Sequence, residues 1–109
     1  MPAADMPPPV ARAIDAVNAG DTDAFLGGFA DDGFIDDNGR TFTGHDAMRG
    51  WSDRELIGAR TRFDVTGGEE VDGGYAVDIQ VTSDGFNGYS RFVFAVADGG
   101  LLRSMTIAA

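Results

Sequence analysis

From Arg60 to Ile107 the chain alternates. Phe63 and Val65 form one set, and Tyr75, Val77, Ile79 and Val81 a second. Phe92, Phe94 and Val96 form a third, and Met105 and Ile107 a fourth; within each set an apolar residue returns at every second position. Side chains of a strand point to opposite faces in turn, so a period of two means strands with one buried face. The runs are Arg60–Thr66, Tyr75–Val81, Phe86–Val96 and Leu101–Ile107. Glycine pairs at 67–68, 73–74 and 99–100 separate them and predict turns. A half-buried meander of this kind needs something to cover its apolar face.

The first half supplies that cover. Val10, Ala13, Ile14 and Val17 recur at helical spacing, with Pro9 suited to the first turn and Gly20 to the left-handed position after the last. Asp21 is a candidate N-cap for a second helix that carries Phe25 and Phe29 on one face. Asn38-Gly39, between Phe34–Asp37 and Arg40–Thr43, is the signature of a type I′ hairpin turn. Thr43 and Asp46 resemble a capping box for a third helix with Met48 and Trp51 on its apolar face and Gly58 at its end. Helices are expected at 9–19, 21–30 and 44–56. Residues 1–9 read as a disordered lead, and 10–109 as a single α+β domain, a size that builds one core.

Composition removes several function classes. The formal charge of −10 and pI near 4.1 would repel nucleic acid and anionic membrane surfaces. All eight cations are Arg, so Schiff-base chemistry and a pyridoxal anchor have no lysine to use. With no Cys there is no thiol nucleophile, disulfide or thiolate metal site. Met1–Pro9 lacks the basic and apolar regions of a signal peptide, and no apolar run spans a membrane, so a cytoplasmic protein is expected. EF-hand, phosphate-loop, dinucleotide and nucleophile-elbow patterns are missing, and the one His, His45, cannot make a His-rich metal site alone. His45 reads as a solvated residue of a first helical turn. No cofactor and no metal are expected.

Three segments resemble a known family. Asn18-Ala-Gly-Asp-Thr-Asp-Ala-Phe-Leu-Gly-Gly-Phe-Ala-Asp-Asp32 resembles the opening of bacterial ketosteroid isomerases and SnoaL-like proteins. Gly44-His-Asp-Ala-Met-Arg-Gly-Trp51 resembles their third helix, and Ser104-Met105 a recurring pair in their last strand. The order and spacing also match over nearly the whole chain. The resemblance implies an NTF2-like cone: three N-terminal helices packed on a curved antiparallel β-sheet that encloses an apolar pocket. It also implies a small apolar or aromatic ligand and a homodimer through the outer sheet face. The superfold hosts isomerases, cyclases, dehydratases, epoxide hydrolases and plain binders, so it implies no single reaction.

Within that frame Asp37 is the candidate catalytic residue. Alternation puts Ile35 and Asp37 on one face and Phe34 and Asp36 on the other, without saying which is inward. The resemblance places the isomerases' proton-shuttling base at Asp37; the alternative is an Asp that merely caps the turn at Asn38. The same resemblance puts Ala13 where a hydrogen-bonding Tyr would stand. Ser90 stands in place of a protonated Asp, and Ser52 in place of the Tyr that supports the first. The oxyanion-binding half of the isomerase machinery is thus lacking. The pocket is expected to be lined by Ile14, Val17, Phe29, Ile35, Trp51, Phe63, Ser90, Phe92, Phe94, Arg103 and Met105. Trp51 can serve either as a ligand contact or as core, and Arg103 as an inward cation or an exposed strand residue. An Asp37–Arg103–Asp78 water-activating set is a further option, although Asp78 alternates to the outward side. The expected function is a small-molecule pocket protein: an acid–base isomerase, cyclase or lyase using Asp37, or a non-catalytic ligand-binding or dimerisation module.

Overall fold

The computed structural model describes residues 6–108. Helix α1 (Pro8–Ala19) and helix α2 (Thr22–Gly27) lead into strand β1 (Phe29–Asp37) and strand β2 (Arg40–Thr43). Helix α3 (His45–Glu55) follows, with a short 3₁₀ turn, Ile57–Ala59, at its end. Strands β3 (Arg62–Val71), β4 (Gly74–Thr82), β5 (Gly88–Val96) and β6 (Leu102–Ala108) complete the chain. The six strands form one curved, unclosed sheet in the order β2-β1-β6-β5-β4-β3, with the helices on one side. The expected α+β class therefore holds. The chain reaches this arrangement by local signals that act as expected at several points. Gly20 adopts the left-handed conformation (φ 69°), and Asp21 accepts the Ala24 N–H at 3.1 Å. Asn38 and Gly39 take φ of 53° and 93°, as a type I′ turn requires.

Four of the five strand pairs are antiparallel, but β1 runs parallel to β6. Alternation reports which face a side chain takes and carries no information about strand direction, so the expected all-antiparallel sheet is corrected at this seam. The second helix stops at Gly27 instead of residue 30, because the Gly28 carbonyl is taken by the Leu102 N–H (2.8 Å) and Phe29 joins the sheet. Between Phe29 and Phe34 the strand bulges around Gly33, where a Cβ would meet the Ala30 and Arg103 carbonyl oxygens at 3.0 and 3.2 Å. The cap of α3 is Gly44, without a side-chain hydrogen bond, so the capping box expected at Thr43 does not form. Gly67-Gly68 is no turn. Both glycines lie inside β3, and a Cβ on Gly68 would fall 2.8 Å from the Tyr75 ring across the ladder. The turn expected at 73–74 does form, one residue earlier, at Asp72-Gly73. Phe86, expected in a strand, sits in the loop before β5. Of the expected lead, residues 1–5 lie outside the described residues. Met6 packs against the core, and α1 already begins at Pro8.

One row of side chains closes the core across four strands. Ile35, Met105, Phe94 and Tyr75 lie in register from β1 through β6 and β5 to β4, each at most 2% exposed. Val10, Ile14 and Val17 of α1, with Phe25 and Phe29 stacked edge to face at 5.3 Å, belong to the same buried cluster. Asn18, at the end of α1, clips this layer to the free edge of the sheet: its side chain donates to the Phe63 carbonyl (2.9 Å) and accepts the Phe63 N–H (2.7 Å). That satisfies a backbone pair on an edge strand. Asn18→Ala is expected to cost about 1–3 kcal/mol, read as a lower urea midpoint at unchanged slope. An unchanged midpoint would mean that water replaces the clip at no cost.

Candidate functional site

A cavity of about 660 Å³ opens at the end of the sheet beyond that closed row. Small-molecule pockets typically measure about 300–1,000 Å³. Its floor is one step along the strands from the closed row, where Asp37, Ile107 and Phe92 stand in register. Trp51 and Leu56 come from the helical layer, Phe63 and Val81 from the sheet, and Phe86 from the β4–β5 loop. Phe63 and Phe92 pack ring to ring at 4.9 Å.

Asp37 lies on the wall because the hairpin register demands it. A two-residue turn at 38–39 sets Asp37 directly opposite Arg40, and Ile35 opposite Phe42, on the inner face. Asp36 points the other way and caps the turn, accepting the Gly39 N–H at 2.8 Å. The turn-capping role considered for Asp37 thus belongs to its neighbour. The Asp37 carboxylate receives two donors on the same oxygen, Oδ2: the Trp51 indole N–H at 3.1 Å and the Arg40 guanidinium. No described residue donates to Oδ1. Arg40 reaches on to Glu55 at the end of α3, with bonds of 3.0 and 2.7 Å, and lies 5.7 Å from the Phe42 ring centre. The hydrogen bonds to Glu55 and then Asp37 push the Arg40 guanidinium above its ordinary value. One cation therefore ties the hairpin to the helix across the mouth.

A second pairing fixes the opposite lip. Arg60 binds Asp84 through two bonds of 2.9 Å, and the Asp84 N–H reaches the Ala59 carbonyl at 2.9 Å. The Arg60 guanidinium holds the Asp84 carboxyl below the usual carboxylate range. Asn87 braces the loop from within by accepting the Ser83 N–H and donating to the Ser83 carbonyl, both at 3.0 Å. Phe86, 57% exposed, is held over the mouth by this frame.

Most side-chain donors on the wall are already spent. Trp51 donates to Asp37, and Thr61 donates to the Leu56 carbonyl at 2.6 Å. Ser83 donates to the Phe86 carbonyl at 2.7 Å, and Ser90 to the Ala108 carbonyl at 3.0 Å. Among the described wall residues, only Arg54 and Asn38 keep a side-chain donor with no protein acceptor.

Of the residues expected around a ligand, Asp37, Trp51, Phe63, Ser90 and Phe92 line this cavity. Ile14, Val17, Phe29, Ile35, Phe94 and Met105 do not; they form the closed core beneath it. The inward facing of Ile35, Phe94 and Met105 was legible, but their depth along the strand was not, because every inner-face residue of a strand shares one alternation. Arg103 is exposed. A register shift in the β5–β6 ladder leaves it between Leu102 and Ser104 with no partner in register, which breaks the alternation that would have turned it inward. Asp78 faces outward and pairs with Arg91 at 3.2 Å, so the Asp37–Arg103–Asp78 set does not assemble. His45 is half-buried, with Nε2 3.1 Å from the Phe29 carbonyl, and is not a solvated side chain. Arg40 joins the site as well, and the hairpin signal at Asn38-Gly39 already opposes it to Asp37. Nothing local could have joined Arg60 to Asp84.

Among the described residues no cluster of metal-ligating side chains occurs, and no helix is long and apolar enough to cross a membrane. No protein-family model and no curated protein sequence matches the chain. Solved structures do. A proposed polyketide cyclase from Sinorhizobium meliloti superposes with a TM-score of 0.85 at 24% identity, over 95% of this chain and 96% of that one. The Rv0760c protein of Mycobacterium tuberculosis gives 0.81 at 20% identity, over 93% and 87%. An NTF2-like protein from Cytophaga hutchinsonii gives 0.77 at 11% identity, over 92% and 85%. A further Rv0760c structure holds estradiol-17β-hemisuccinate, and a designed 17-OHP binder gives 0.80 at 17% identity. The chain has the NTF2-like fold.

Proposed function

We propose that the protein takes a small apolar or aromatic molecule into the cavity between Trp51, Phe63 and Phe92 and meets it with Asp37 as a proton acceptor. The observation that carries this reading is the split role of the Asp37 carboxylate. Oδ2 is pinned by Trp51 and Arg40, and Oδ1 has no protein donor among the described residues. A carboxylate held in one orientation, with one free oxygen at the edge of an apolar chamber, is placed to accept a ligand hydroxyl or to remove a proton next to a carbonyl. In the second case the C–H electron pair moves toward the carbonyl oxygen and the proton rests on Oδ1, to be returned elsewhere. That is the chemistry of a cofactor-independent isomerase, cyclase or lyase. The structural neighbours that hold or were designed for steroid-like ligands support a pocket of this kind, as does the one proposed to be a polyketide cyclase. A cytoplasmic homodimer goes with the reading.

The ion pair from Arg40 favours a second reading, a binder without turnover, in which the paired carboxylate is a fixed acceptor for a ligand hydroxyl. One experiment separates the two. Trp51 is the only Trp, so quenching of its fluorescence reports occupancy. 2-Acetonaphthone serves as the probe, and exchange of its α-hydrogens in D₂O is followed by NMR. The catalytic reading expects exchange above the buffer rate with wild type. It expects the buffer rate with Asp37→Asn, whose amide oxygen turns toward Arg40 and Trp51 and leaves an NH₂ facing the ligand. Binding without exchange in wild type overturns the catalytic reading and leaves the binder. No quenching overturns the pocket reading itself.

A further inference from the structure

We infer that the natural ligand carries a carboxylate, and that Arg54 at the mouth of the cavity receives it. This inference rests on the pocket reading above and names the class of molecule that fills the pocket.

Charge supplies the first argument. The chain holds 18 acidic residues against eight Arg, so acids are in excess and an arginine without one stands out. Arg40, Arg49, Arg60, Arg62 and Arg91 are all paired. Among the described residues Arg12, Arg54 and Arg103 are not, and of these three only Arg54 lines the cavity. The acids of the wall are the reverse. Asp37 and Glu55 share Arg40, and Asp84 holds Arg60. With Arg40 and Arg60 included, three carboxylates face three guanidinium groups, so the mouth is neutral on a surface that is otherwise strongly acidic. An anion approaching this protein meets least repulsion there.

Hydrogen bonding supplies the second. Trp51, Thr61, Ser83 and Ser90 direct their protons to protein acceptors. Among side chains of the described wall, a ligand acceptor can therefore be met only by Arg54 and the exposed Asn38 amide. Arg54 offers a planar fork that matches a carboxylate through two parallel bonds. Position 50 leaves room for it: a Cβ on Gly50 would come 3.2 Å from the Arg54 guanidinium nitrogen, so the arginine lies back along α3 over a glycine. The floor, by contrast, is apolar and aromatic. The geometry selects an amphipathic acid, with a hydrophobic body against Phe63 and Phe92 and its carboxylate at the rim.

The test uses two probes of one shape, 1-pyrenebutyrate and its neutral amide, titrated against Trp51 fluorescence. Wild type is expected to bind the acid more tightly than the amide. Arg54 is exposed, so Arg54→Ala should weaken the acid by about three- to tenfold while leaving the amide within about twofold. Arg54→Lys should recover part of the loss, and added salt should weaken only the acid. An acid-to-amide ratio that is unchanged in Arg54→Ala, with both probes still quenching, overturns the role of Arg54 and leaves the pocket reading intact. If neither probe binds wild type, the pocket reading and this inference fall together.

Discussion

Given a 5-ene-3-ketosteroid, the wild-type protein is expected to form the conjugated enone at a rate at least about ten-thousandfold below that of an isomerase with a complete oxyanion site. The reaction takes a proton from carbon next to a carbonyl and leaves negative charge on the oxygen. A carboxylate handles the proton only. The oxygen needs donors already aimed at it in a water-poor site, and losing one such donor costs about a hundredfold or more. Here Ala13 is 3% exposed within the core and has no donor to offer. Ser90 is on the wall, but its one proton goes to the Ala108 carbonyl. The Trp51 N–H, another group that could have served, is held by Asp37 itself. Two missing donors multiply to the stated factor. The measurement is the ultraviolet absorbance of the enone with wild type and Asp37→Asn. Family-like turnover that vanishes in Asp37→Asn would overturn the expectation and identify an isomerase. Arg54 and Asn38 remain free, which is consistent with a substrate whose polar end lies at the rim.

Gly58→Ala is expected to lose about 3 kcal/mol of stability or more and to abolish Trp51 quenching by pyrene probes. The chain folds back on itself after α3, and a Cβ at residue 58 would stand 1.6 Å from the Asp53 carbonyl oxygen. The obstacle is backbone, so no rotamer change relieves it; the last turn of α3 or the 3₁₀ turn must move. That turn carries Ala59, whose carbonyl anchors Asp84, and leads into Arg60, whose guanidinium binds the same residue. Displacing it releases the lip that holds Phe86 over the cavity. Gly27→Ala is the control. It lies in α2 with nothing within 4 Å of its added Cβ and should change stability by no more than about 1 kcal/mol, in the stabilising direction. Equal midpoints for the two variants in urea would show that the close approach is relieved at no cost.

The helix of α1, the hairpin at Asn38-Gly39 and the inward face of the late strands are all legible in the sequence, because each is set by residues within a few positions. A β-turn that needs positive φ twice selects Asn-Gly. Val10, Ile14 and Val17 share a helix face whatever packs on it. Local pattern and structure part where the deciding contact is remote. Gly67-Gly68 has the composition of a turn, yet it lies inside β3, where Gly68 makes space for Tyr75 in the neighbouring strand. Arg103 has the alternation of an inward residue, yet a register shift against β5 leaves it exposed.

The candidate site divides the same way. By itself the sequence determined that an apolar inner face would exist, that lysine and cysteine chemistry was closed to this protein, and that Asp37 shares its face with Ile35. Periodicity and residue type are local properties, and they suffice for those points. Only the tertiary structure decided which of two adjacent acids caps the turn and which meets the cavity. It also decided how far along the strands the core closes, and which arginines find partners. Those outcomes depend on strand register and on side chains brought together from opposite ends of the chain: Arg40 with Glu55, Arg60 with Asp84, Trp51 with Asp37. Arg54 is singled out in the same manner, by what every other charge on the wall has already done.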